Sequence, residues 1–98
     1  MRTLSYDRKA LAGLCRRHHI RRLALFGSVL KGIDRPGSDV DLLVEFEPGA
    51  APGLLGLAAI EAELSGLLGR RVDLRTPQEL SPHFREAVER DAEVQFAA

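Results

Sequence analysis

Gly27-Ser28 and, after ten intervening residues, Asp39-Val40-Asp41 have the residue types and spacing to do chemistry, and each has an apolar run beside it. Leu23-Ala24-Leu25-Phe26 before the first and Leu42-Leu43-Val44 after the second read as short buried strands. A Gly-Ser turn therefore leaves one strand and two carboxylates enter the next. Residues two apart on a strand share a face, which sets Asp39 and Asp41 roughly 6 to 7 Å apart at the backbone. At an effective dielectric near 20, charges at that spacing repel by about 2 to 3 kcal/mol. A divalent cation removes that repulsion. Mg²⁺ prefers oxygen ligands and is held by one or two carboxylates together with substrate phosphates, so the pair makes chemical sense if a nucleotide completes the site. Gly27 lets backbone approach a phosphate with no side chain between, and Ser28 to Lys31 read as a short helix whose free N–H groups face an anion.

The surrounding periodicities predict the elements that hold these residues. Tyr6, Ala10, Leu11, Leu14, Cys15 and His18 form the stripe of an amphipathic helix over Ser5 to His19, which leads into the first strand. Gly32 ends the short helix, and Asp34-Arg35-Pro36-Gly37-Ser38 has the composition of a turn. The second strand is expected over Asp39 to Phe46, followed by the Pro48 to Gly53 loop. Leu57, Ile60, Leu64, Leu67 and Leu68 keep a helical period from Leu54 to Leu68, with Gly69 in the capping position. A third strand follows over Arg71 to Arg75 and is broken by Thr76-Pro77. Ser81-Pro82 opens a last helix through about Arg90, and Val94 to Phe96 adds a short edge strand. This order predicts an α+β, sandwich-like domain over residues 1–98: a small mixed sheet with helices packed on it.

Composition narrows the function. Fourteen Lys and Arg balance fourteen Asp and Glu, and a neutral chain argues against direct gripping of nucleic-acid backbone, which needs many cationic phosphate contacts. The lone Cys15 rules out an internal disulfide. Neither a signal-peptide pattern nor a membrane-spanning apolar run is present, so the expectation is a cytoplasmic protein with no membrane partner.

Leu25-Phe26-Gly27-Ser28, Asp39-Val40-Asp41 and a later carboxylate in Val72-Asp73-Leu74 together resemble the signature of the polymerase-beta-type nucleotidyltransferases. More narrowly, the chain resembles the minimal nucleotidyltransferases of bacteria and archaea from about Leu11 to Val94. The resemblance implies that Gly27, Ser28 and Lys31 bind the triphosphate of ATP. It implies that Asp39, Asp41 and Asp73 are the catalytic carboxylates and hold two Mg²⁺ ions, Asp73 also readying the acceptor hydroxyl. The reaction implied is transfer of AMP from ATP to a hydroxyl, with release of pyrophosphate. It further implies a partner, a separate helical HEPN-type toxin, toward which the small protein acts as antitoxin by binding or by adenylylating a tyrosine. One departure stands out: many family members carry a small residue and then Arg two and three places after the Ser, where this chain has Leu30 and Lys31. Lysine supplies a point charge without the planar fork that matches phosphate.

Plainer readings stand beside these. Strand-start aspartates are often only solvated, Asp73 could face water on an edge strand, and Ser28 could be only a helix cap. Glu45 and Glu47 read as solvent-facing, Cys15 as core, and Tyr6 as structural. The basic stretch from Arg16 to Arg22 is either a helix end complementing the helix dipole or a docking surface. The rival to the enzyme is a non-catalytic binding module that neutralises its partner by complex formation.

Overall fold

A computed structural model describes residues 4–33, 35 and 37–98, so Asp34 and Pro36 of the expected turn lie outside the described residues. Helix α1 (Arg8–Arg17) starts later than its apolar stripe because Asp7 caps it, accepting from the N–H groups of Lys9 at 2.9 Å and Ala10 at 3.2 Å. Strand β1 (Ile20–Phe26) runs into α2 (Gly27–Lys31), which Gly32 ends in the left-handed conformation. Strand β2 (Val40–Phe46) begins one residue later than expected, leaving Asp39 just ahead of it, and the Val40 N–H donates to the Arg71 carbonyl at 2.8 Å. Helix α3 (Leu54–Leu68) has the predicted bounds and ends on left-handed Gly69. Strand β3 (Val72–Arg75) leads to a 3-10 turn, Pro77–Glu79, that the sequence reading did not resolve. Helix α4 (Pro82–Asp91) has Pro82 in its first turn, as expected, although the Ser81 side chain makes no capping bond. Strand β4 (Glu93–Ala97) is the short edge strand, slightly longer than expected.

Among the described residues the strands form one sheet in the order β3-β2-β1-β4. β1 lies antiparallel to β2 and to β4, whereas β2 and β3 are parallel, with α3 as the crossover. This is the mixed sheet that the element order predicts. Alternation along the strands divides it into two faces. On one, Leu23, Leu25, Leu42 and Val44 pack against Leu14 of α1 and Leu64 of α3 in the main core. On the other, Phe26 and Leu43 pack against Val88 of α4, with Leu80 and Ala92 alongside. Each large side chain buried this way contributes about 1.5 to 3 kcal/mol.

The outer edge of β3 is closed by α3. The Val72 N–H donates to Ser65 Oγ at 2.9 Å and the Leu74 N–H to Glu61 Oε2 at 2.8 Å. These side chains satisfy the backbone groups that an edge strand leaves unpaired, and so fix the strand that carries Asp73. Among the described residues no helix is long and apolar enough to cross a membrane.

Candidate active site

The second face of the sheet carries the polar residues. Asp41 and Asp73 are direct partners across the parallel β2–β3 pair, and Phe26 at the end of β1 stands opposite Asp41. One residue beyond Phe26, Gly27 turns with φ of 80°. A Cβ at Gly27 would collide with the Asp41 carboxylate, so glycine is required here by the packing of a side chain as well as by the backbone angle.

Gly27, Lys31, Asp41 and Asp73 line one cleft of about 370 Å³. Its opposite wall comes from α4 and the turn before it, with Leu80, Phe84 and Ala87 facing the carboxylates and Asp91 at the end of the helix. The sequence reading missed Phe84 and Arg75 as cleft residues; Phe84 stands 51% exposed on the helix whose Val88 enters the core, and nothing local in the sequence tells the two apart. Ser28 and Asp39 do not line the cleft.

Asp39 is nonetheless within electrostatic reach. Burial first, then the charges of Asp73 and Asp39, push the Asp41 carboxyl above its ordinary range, and Arg75 partly offsets them. Asp41 thus feels both neighbouring carboxylates as a metal ligand does before the cation arrives, and carboxylate oxygens suit Mg²⁺. Among the described residues no three His, Cys, Asp or Glu side chains already stand as a metal-binding cluster. Asp73 holds a guanidinium: Arg75 Nη2 donates to its Oδ2 at 3.1 Å.

Other candidates resolve into structure. Arg17 and His18 pair with Glu63 of α3, at 3.1 and 2.9 Å, while Arg21 and Arg22 pair with Glu45, at 2.9 and 3.0 Å. Each glutamate therefore serves two basic side chains, which ties most of the stretch into pairs within the chain and neutralises part of its charge. Glu45, expected to face solvent, is instead the partly buried centre of that cross-strand pairing. Cys15 is fully buried in the core, where burial pushes its thiol up to about 11. Tyr6 donates to Gln95 Oε1 at 2.6 Å and ties the chain's start to β4.

A mixed sheet with carboxylates gathered beside a glycine turn places the chain in the nucleotidyltransferase class of α+β domains. The family model of the nucleotidyltransferase domain matches residues 7–94, and the chain belongs to that family. It is 39% identical over 75 residues to the protein adenylyltransferase MntA of Thermococcus cleftensis, covering 76% of this chain and 74% of the relative. A solved structure provisionally assigned as a minimal nucleotidyltransferase is 47% identical, with a TM-score of 0.71 over 87% of this chain and 85% of the other. A chain from a toxin-antitoxin crystal structure with AMP-PNP superposes with a TM-score of 0.73 over 94% of this chain and 74% of its own, at 19% identity. Another, from a tri-AMPylated Shewanella oneidensis HEPN toxin in complex with MNT antitoxin, gives 0.65 over 93% and 70%, at 17% identity. These last two likenesses show the fold alone.

Proposed function

We propose that this chain is a protein adenylyltransferase that moves AMP from ATP to a hydroxyl of a HEPN-type toxin and serves as its antitoxin in the cytoplasm, with residues 1–98 acting as one domain. The observation that carries this reading is the cross-strand pairing of Asp41 with Asp73 in a cleft that also holds Gly27 and Lys31. The kinship with a protein adenylyltransferase supports the activity, and the partner follows from the resemblance of the site residues to those of the minimal nucleotidyltransferases.

Gly27 and Ser28 bring backbone N–H groups to the triphosphate at the start of α2, and Lys31 adds its charge from the last turn of that helix. Asp39, Asp41 and Asp73 would hold Mg²⁺, two ions in all, which supplies charge neutralisation for attacking and leaving oxygens of an in-line displacement. A carboxylate oxygen of Asp73 takes the proton of the acceptor hydroxyl. Leu80 and Phe84 give the cleft an apolar wall beside the carboxylates.

The test is to incubate the protein with a HEPN-type toxin, ATP and Mg²⁺, and to weigh the toxin intact. Mass steps of one AMP, lost in Asp39→Asn and Asp73→Asn, are expected. The guanidinium seated on Asp73 favours a second reading, an antitoxin that works by binding alone. Tight complex formation with unchanged partner mass, indifferent to those variants, decides for it.

A further inference from the structure

Resting on the reading of Asp39, Asp41 and Asp73 as the metal-binding carboxylates, we propose that Arg75 is a positioning residue that makes metal loading at Asp73 conditional on bound triphosphate, with Glu79 as its anchor. The guanidinium spans two carboxylates: Nη2 lies 3.1 Å from Asp73 Oδ2 and Nη1 lies 3.6 Å from Glu79 Oε2. Glu79 is itself fixed, because its Oε1 accepts from the N–H and the hydroxyl of Thr76, each at 3.2 Å. The fork is thus held from behind while its other end rests on Asp73.

Arg75 and Asp73 are two apart on β3 and share the cleft face, beside Leu43 and Asp41 of β2 respectively. Arg75 also lines the cleft that Lys31 and Asp41 line. Its charge is permanent, since a guanidinium does not deprotonate in proteins. A cation arriving alone at Asp73 must displace the guanidinium and then sit beside a like charge that Glu79 keeps from leaving. A triphosphate changes that balance. Its negative charge offsets the repulsion between metal and guanidinium, and a nitrogen released from Asp73 gains a phosphate oxygen to donate to, in the planar geometry that arginine offers and Lys31 does not. Nucleotide therefore binds first and the ion at Asp73 second, and in the metal-free protein Asp73 is not left as an unpaired anion.

The experiment measures Mn²⁺ affinity by calorimetry, with and without a non-hydrolysable ATP analogue, each titration corrected for Mn²⁺ binding to the analogue free of protein, for wild type, Arg75→Gln, Arg75→Lys and Glu79→Gln. Wild type should bind Mn²⁺ much more tightly with the analogue. Arg75→Gln should tighten Mn²⁺ alone by about three- to fivefold, the size of a half-exposed ion pair, and shrink the gain that the analogue brings. Arg75→Lys keeps the charge and should bind Mn²⁺ alone as wild type does. Glu79→Gln keeps the hydrogen bonds to Thr76 but removes the balancing charge, so Mn²⁺ alone should weaken by about twofold. Arg75→Gln within experimental error of wild type, or shifted equally with Arg75→Lys, overturns the proposal while the site stands. Wild type that binds no Mn²⁺ even with the analogue overturns the site reading, and this inference with it.

Discussion

Gly27 and Asp41 constrain each other. Because Gly27 has a positive φ and the Asp41 carboxylate occupies the space a Cβ would take, Gly27→Ala should cost on the order of 1 to 3 kcal/mol in urea denaturation and displace the carboxylate. An unchanged midpoint would show that the turn relaxes freely. Asp41 carries a second prediction. Its carboxyl is held above the ordinary range, so its contribution to stability is fully present below the unfolded-state pKa and is lost as pH rises through the folded one. At neutral pH the ionised group is a cost. Asp41→Asn should then abolish transfer yet stabilise the metal-free protein at pH 7 by up to about 1 kcal/mol, because the site is partly exposed. That gain should fade as pH falls through the raised pKa of the folded state and be gone below about 4, where both states are protonated. Denaturation in chelator at the two pH values checks this; a variant weaker than wild type at pH 7 would make Asp41 structural.

At the scale of elements, α3 does more than cover the sheet, since Glu61 and Ser65 take up the outward N–H groups of Leu74 and Val72. Glu61→Ala should cost about 1 to 2 kcal/mol and Glu61→Gln less, because the amide oxygen still accepts. Hydrogen exchange at the Leu74 amide should quicken in the first variant; unaltered protection would mean that water replaces the carboxylate without loss. Helix α3 was legible from its five apolar positions and Gly69, and β1 and β2 from their uninterrupted apolar runs, because these signals are local. Asp41 was legible from its place at the start of an apolar run and Asp73 from the family signature, whereas the shared strand face expected of Asp39 and Asp41 fails because β2 begins only at Val40. What the sequence hid was long-range. No periodicity says which face of the sheet α4 will cover, so Phe84 could not be assigned to the cleft, and the pairing of Arg21 and Arg22 with Glu45 depends on strand register. Arg75 looked like the end of a strand rather than the neighbour of a functional carboxylate for the same reason.

For the whole molecule, the two faces of the sheet separate stability from chemistry. Leu64 is fully buried between α3 and the sheet, and Leu64→Ala should cost about 2 to 5 kcal/mol while leaving the nucleotide affinity of the folded fraction unchanged. Phe84 sits half exposed on the other side. Phe84→Ala should leave the Tm nearly unchanged and cut kcat/KM for transfer by roughly fivefold, the size of one aromatic contact. The reverse pattern in either variant would break this division of labour. The same alternation also protects the folding process. Val40, Leu42 and Val44 belong to the core, and Asp41 lies between two of them on the polar face. If β2 slipped by one residue against β1, Leu43 would take a core position of Leu42 or Val44 while Asp41 turned into hydrocarbon. A carboxylate placed for catalysis is thus also a penalty on every odd misalignment of the strand, so that the residue that serves the reaction also selects the register in which the sheet folds.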